Sequence, residues 1–138
     1  MVKKFPIYIV MLAFMFSSVT ANTLAGTTGD GVWAVNAQFT DENGRVTAVR
    51  KLASNVLYRA EVVLSPLSGS ECPSHLLFDA GMPAHYHGMS TKAKVSGNGC
   101  KFFVSGVYFQ MRGAWEIYFD VALGSTSSRA TFIIELEK

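Results

Sequence analysis

From Val32 to its end this chain consists of short alternating apolar and polar segments, each stopped by a glycine, proline, serine or asparagine cluster about every ten residues. An apolar residue at every second position puts one row of side chains on each face of an extended strand. Nowhere does a 3.6-residue period persist for the ten or more residues that a helix of ordinary length requires. A chain patterned in this way has to bury one face of each strand against another sheet. The expected architecture is therefore all-β, an antiparallel β-sandwich.

In order, Val32 to Phe39 is predicted as a strand and Asp41-Glu42-Asn43-Gly44 as a turn built on Asn-Gly. Arg45 to Arg50 alternates and completes a hairpin with the first strand, and Leu52 to Val56 is read as a short helical turn. Leu57 to Leu64 is a strand that stops at Ser65-Pro66, and Ser65 to Pro73 is loop. His75 to Ala80 and Lys92 to Val95 are short strands, and Ser96 to Gly99 a turn. Lys101 to Ser105 is a strand that Gly106 interrupts as a bulge or bend before Val107 to Met111. Arg112-Gly113 turns the chain into Trp115 to Leu123, and Arg129 to Leu136 closes the domain. Along Trp115 to Leu123, Trp115, Ile117, Phe119 and Val121 share the face assigned to the core, with Glu116, Tyr118 and Asp120 on the other.

The N-terminus reads differently. Lys3-Lys4, the apolar run Phe5 to Phe16 and the small polar stretch Ser17 to Ala21 form the three regions of a secretory signal peptide, residues 1–21. Cleavage is expected after Ala21, with Thr23-Leu24-Ala25 as an alternative site after Ala25. The apolar run falls short of the roughly 20 residues of a spanning helix, so no stable membrane anchor is expected. Residues 22–31 are small and polar and are read as a flexible leader, and residues 32–138 as a single β-sandwich domain. Of the 12 Lys and Arg, Lys3 and Lys4 leave with the signal, so 10 remain against 10 Asp and Glu. A mature chain without net charge or a basic stripe carries no footprint for nucleic acid. The expected location is periplasmic or secreted. There Cys72 and Cys100, the two cysteines, are expected to pair as a disulfide that ties down both flanks of the segment between them; the alternative is that one thiolate serves as a ligand.

That segment carries the chemistry. Gly81-Met82-Pro83-Ala84-His85-Tyr86-His87-Gly88-Met89 holds two of the three histidines and two of the six methionines. As donors it reads Met-x-x-His-x-His-x-Met. Imidazole and thioether suit copper, and the absence of a carboxylate removes magnesium and calcium. On an extended backbone His85 and His87 point the same way with roots about 6.5 to 7 Å apart, close enough for both to reach one ion. The bland alternative is that the histidines bond neighbouring backbone while the methionines pack on Trp115. His75 is read as structural or surface. Tyr86 points away from the histidines as a candidate contact residue, and Pro83 restricts the backbone beside them. Signatures of enzyme chemistry are missing: no Gly-x-Ser-x-Gly elbow, no His-Glu-x-x-His and no glycine-rich phosphate loop. Zinc hydrolysis would want a third protein ligand that the segment does not contain. The expectation is a binding module, not an enzyme.

Taken with Gly106-Val107-Tyr108-Phe109-Gln110-Met111-Arg112-Gly113-Ala114-Trp115-Glu116-Ile117-Tyr118-Phe119, the segment resembles the YtkA-like/FixH-like group of small exported immunoglobulin-like domains. Those families pair Met-Pro-x-His-x-His-Gly with a later Phe-x-Met-x-Gly-x-Trp-Glu, and the likeness runs from about Tyr58 to Leu136. Cys72 and Cys100 stand outside the pattern, and FixH-type members keep a membrane anchor. The resemblance implies an immunoglobulin-like sandwich and copper, Cu(I) favoured, held by His85, His87, Met82, Met89 and Met111. It also implies that Met111 and Trp115 lie at the end of the sandwich that carries the histidines, with Trp115 as core and site wall. The implied partner is an envelope protein or a copper acceptor. The competing expectation is a structural or protein-interaction β-sandwich of the cell envelope that binds no metal.

Overall fold

The structure is a computed structural model and describes residues 22–137; the signal-peptide assignment at residues 1–21 lies outside them. The strands are β1 (Thr23–Thr27), β2 (Trp33–Thr40), β3 (Val46–Thr47), β4 (Leu57–Pro66), β5 (His75–Met82), β6 (His87–Gly88), β7 (Lys94–Asn98), β8 (Lys101–Tyr108), β9 (Gly113–Leu123) and β10 (Thr126–Leu136). One sheet runs β1-β2-β4-β8-β7, with β3 beside β2; the other runs β10-β9-β5-β6. Every pairing is antiparallel. The two sheets pack face to face, and the β-sandwich expected from the alternation is what the chain forms.

The alternation decides what lies between the sheets. Val35, Ala37 and Phe39 of β2, Ala60, Val62 and Leu64 of β4, and Phe102 and Val104 of β8 are buried from one side. Leu76, Phe78 and Ala80 of β5 meet them from the other, with Trp115, Ile117, Phe119 and Val121 of β9, the four residues assigned to the core from sequence. Phe78 and Phe119 meet edge to face at 5.3 Å, the arrangement that the ring quadrupole favours. Residues Ser105 and Gly106 of β8 stand together opposite Arg59 of β4, a bulge at the glycine where one was expected. Gly106 adopts φ +76°, which a β-carbon would strain.

Three local expectations change. The leader is in part a strand: β1 pairs with β2 along its whole length, and Leu24 is buried. Its small composition hid it, because one leucine is all that it sends to the core. A β-carbon at Gly26 would lie 2.9 Å from the ring of Phe132, so any side chain there would require that ring to shift. Between Arg45 and Arg50, only Val46–Thr47 pairs as β3 before a 3₁₀ turn at Val49–Lys51 takes over. That turn buries Val49 and stands ahead of the helical turn expected at Leu52 to Val56. The strand expected to run to Met111 ends at Tyr108, which leaves Phe109 to Arg112 as the connection into β9.

Cys72 and Cys100 are bonded, with Cα atoms 5.0 Å apart. The bridge joins the β4–β5 crossover to the turn between β7 and β8. It lies at the start of β5, whereas the His/Met segment lies at the end of that strand, eight residues and about 25 Å away. In sequence the cysteines flank the segment; in space they clamp the opposite end of the sandwich. Trp33 seals that end from below, donating its indole N–H to the carbonyl of Glu71 at 2.9 Å.

Candidate metal site

β5 leaves the sheet at Met82. Pro83 opens a 3₁₀ turn, Pro83–His85, a position where its missing N–H is not needed. Tyr86 closes the turn in the left-handed region, φ 54° and ψ 36°, donating its N–H to the carbonyl of Pro83 at 3.3 Å. The chain then returns as β6, with Gly88 opposite Gly81 and His87 opposite Met82. His85 and His87 therefore sit on a tight hairpin tip, not on the extended backbone expected from their spacing. Proline and the left-handed tyrosine override the local β pattern.

The hairpin nonetheless brings the two rings together by another route: their centres are 5.8 Å apart and their planes 30° from parallel. The centre of an imidazole lies about 3 Å from an ion held at about 2 Å, so two rings sharing one ion have centres no more than about 6 Å apart. The observed separation falls within that reach. His87 is half-buried because, as the cross-strand partner of Met82, it shares the inner face of the sheet. One more step of the β5–β9 register beyond Gly81 and Glu116 sets Met82 abreast of Trp115. His87 packs edge-on against Trp115 at 5.9 Å, and Trp115 in turn packs on Phe109 at 5.2 Å.

The donors expected from sequence separate into two groups. Met82 is built into the core, 1% exposed, with its methyl over Gly113. Met82 therefore packs as part of the core beside its cross-strand partner His87. Met89 is half-buried and packs against the core. His85 is exposed, and Met111 is 40% exposed on the β8–β9 connection. The connection lies at this end of the sandwich, because Trp115 donates its indole N–H to the carbonyl of Met111 at 3.0 Å and Gln110 reaches the β6 hairpin. Trp115 is buried in the core, as expected, and its ring lies against His87. His75 is remote, on the surface at the start of β5, with its Nδ1 3.1 Å from the hydroxyl of Ser74.

Gln110 carries a contact that residue types alone did not point to. Its amide N–H donates to the carbonyl of Gly88 at 2.8 Å, and its carbonyl accepts the N–H of Ser90 at 3.1 Å. The signal available in sequence was its place just before Met111, inside the second motif. Nδ1 of His87 lies 3.0 Å from the same Gly88 carbonyl, so in the tautomer with hydrogen on Nδ1 it donates there and leaves Nε2 with a free lone pair.

On the outer face of the sheet that carries the hairpin, Arg129 forms an ion pair with Asp120. Arg129 donates to both oxygens of Asp120, at 2.7 and 2.9 Å, and lies over the ring of Tyr118 at 4.5 Å. The hydrogen bonds to Asp120 hold the Arg129 guanidinium above its ordinary value. Tyr118 donates its hydroxyl to Glu116, and that bond, reinforced by burial and by the Glu116 charge, raises the phenol above the usual range. Among the described residues, no three of His, Cys, Asp and Glu come together as a metal set.

Tyr86 is 96% exposed in a backbone conformation that costs a side-chain-bearing residue about 1 to 2 kcal/mol. It has almost no packing to lose. Tyr86→Gly is therefore expected to raise the stability of the metal-free protein by up to about 1 kcal/mol, because the flexibility of glycine in the unfolded chain offsets part of the relieved strain. Urea unfolding measures it, and a lower midpoint in the variant would show that the ring makes a stabilising contact.

No family model, no curated protein and no solved structure matches this chain, so the chemistry of the site rests on its own geometry.

Proposed function

We propose that the protein is an exported, non-catalytic copper-binding or copper-handling module, with His85 and His87 as the anchoring ligands. Met111 is the thioether best exposed to join them, Met89 a partly covered second, and Cu(I) the favoured ion. The observation that carries this is the pair of near-parallel imidazoles 5.8 Å apart on a hairpin stiffened by proline. Two imidazoles with a thioether form a soft, low-coordinate set that suits Cu(I) better than zinc, which prefers four donors. An exposed, sparsely coordinated ion is also one that an acceptor protein in the envelope can take.

Export is supported by the paired cysteines, which persist in oxidising compartments, and by the signal-like residues 1–21. Among the described residues no helix is long and apolar enough to cross a membrane. Cleavage after Ala21 leaves β1 whole, whereas cleavage after Ala25 would cut it in two. An immunoglobulin-like assignment is supported by strand order. β2, β4, β8 and β7 take the places of A, B, E and D, and β10, β9, β5 and β6 those of G, F, C and C′, with β1 added at the edge.

The test is a Cu(I) titration of the mature protein against a competing chelator. His85→Ala/His87→Ala is expected to weaken binding at least about 100-fold, close to 3 kcal/mol. Equal, weak binding by wild type and variant would favour the alternative, a hairpin that serves only the fold or a protein contact through Tyr86.

A further inference from the structure

The β8–β9 connection crosses from one sheet to the other, and one of its side chains reaches the β6 hairpin. Gln110 donates to the carbonyl of Gly88 and accepts from the N–H of Ser90, two groups that bracket residue 89 on one side of the backbone. An adjacent parallel strand bonds its neighbour with the same alternation, an N–H to one residue and a C=O to the residue two further on. The amide of Gln110 thus stands in for a peptide unit at a sheet edge that has no further strand, since β6 is the last of its sheet.

The Gly88 carbonyl held in this way is also the oxygen that faces Nδ1 of His87 at 3.0 Å. A carbonyl oxygen has two lone pairs and can accept from both groups. One of the two hydrogens on the Gln110 nitrogen goes to the Gly88 carbonyl; the other has Nδ1 only at 3.4 Å, whereas an unprotonated Nδ1 would hold its lone pair 3.0 Å from the carbonyl oxygen, so the closer contact favours hydrogen on Nδ1. Nδ1 then keeps its own hydrogen, and Nε2 is the unprotonated atom. A ligand histidine is ordinarily oriented by a bond of this kind from its other nitrogen.

We propose that Gln110 is a positioning residue for His87: by fixing the Gly88 carbonyl it selects the Nδ1–H tautomer and presents Nε2 as the donor. Its importance for copper rests on the copper-binding role of His85 and His87, but the tautomer does not. Two variants remove the contacts. Gln110→Ala takes away both bonds and the side chain, whereas Gln110→Leu fills much of the same space with no hydrogen for Gly88 and no carbonyl for Ser90.

The first measurement is long-range ¹⁵N–¹H correlation of the histidine side chains in metal-free protein at about pH 9, where imidazole is neutral. Wild type is expected to show His87 predominantly as Nδ1–H, and both variants a shift toward Nε2–H. The second is Cu(I) competition, in which both variants are expected to bind about ten-fold more weakly. If His87 is Nε2–H in wild type, or if both variants keep wild-type Nδ1–H shifts, the proposal fails, whatever happens to affinity. A shift in tautomer in a protein that does not bind copper would uphold the positioning role and refute the copper-binding role instead. Should Gln110→Ala fail to fold, Gln110→Leu alone decides, because it fills the space that alanine leaves empty.

Discussion

Met82→Ala is expected to destabilise the protein by about 2 to 5 kcal/mol, the range for truncating a fully buried large side chain. Met82 is 1% exposed at the end of β5, beside His87 and over Gly113, and alanine would leave a void that the Trp115 row cannot fill without moving. Met111→Ala should do the reverse. At 40% exposure it fills no interior space, so its effect on metal-free stability should stay within about 0.5 kcal/mol. Its cost should appear in Cu(I) affinity, and more weakly in Cu(II) affinity, because a thioether is the softer donor. Urea unfolding of both variants without metal, followed by copper competition, separates the two roles. A loss below about 1 kcal/mol for Met82→Ala would mean that the hairpin end of the core is loosely packed. Unchanged Cu(I) affinity in Met111→Ala would remove Met111 from the ligand set.

Loss of the Cys72–Cys100 bridge is expected to have an effect of similar size, about 3 to 4 kcal/mol for a closed loop with a sequence separation of 28. In the chain-entropy account the bridge acts on the unfolded chain. Cys72→Ala/Cys100→Ala should therefore lower the urea midpoint while leaving the folded hairpin unchanged. Because the bridge lies at the other end of β5 from His85 and His87, copper affinity in the folded variant should match wild type. Intact mass and resistance to alkylation check the oxidised state. A midpoint insensitive to both substitution and reductant would mean that the bridge contributes no stability; a fall in copper affinity would mean that constraint passes along β5 from one end to the other.

The strands that sequence made plain are those in which local and long-range demands agree. In β4 and β9, and in β8 up to the bulge at Gly106, the buried residues are apolar and recur at every second position, so alternation assigns their faces. β1 was illegible because an edge strand that contributes a single leucine needs no pattern, only a neighbour with unpaired backbone. β3 was over-read for the opposite reason: Arg45 to Arg50 alternates, but Val49 reaches the core through a 3₁₀ turn instead of a pairing partner. In the site, the identity of the histidines was legible from composition and spacing, and the fate of the methionines was not. Met82 and Met111 are chemically identical in sequence and differ only in what stands around them.

By itself, then, the sequence determined the class of fold and the cysteine pair, and it marked out the His/Met segment, because each follows from local pattern or residue chemistry. Tertiary structure alone decided how the imidazoles meet, and it did so by a proline-led turn instead of the extended spacing that sequence suggested. It also decided that the disulfide clamps the far end of the sandwich, that Met82 is part of the core, and that Gln110 stands behind His87. The last three share a physical reason: each depends on register between strands distant in sequence, which no single segment encodes, whereas the imidazoles meet through a turn set by Pro83 and Tyr86 within the segment itself.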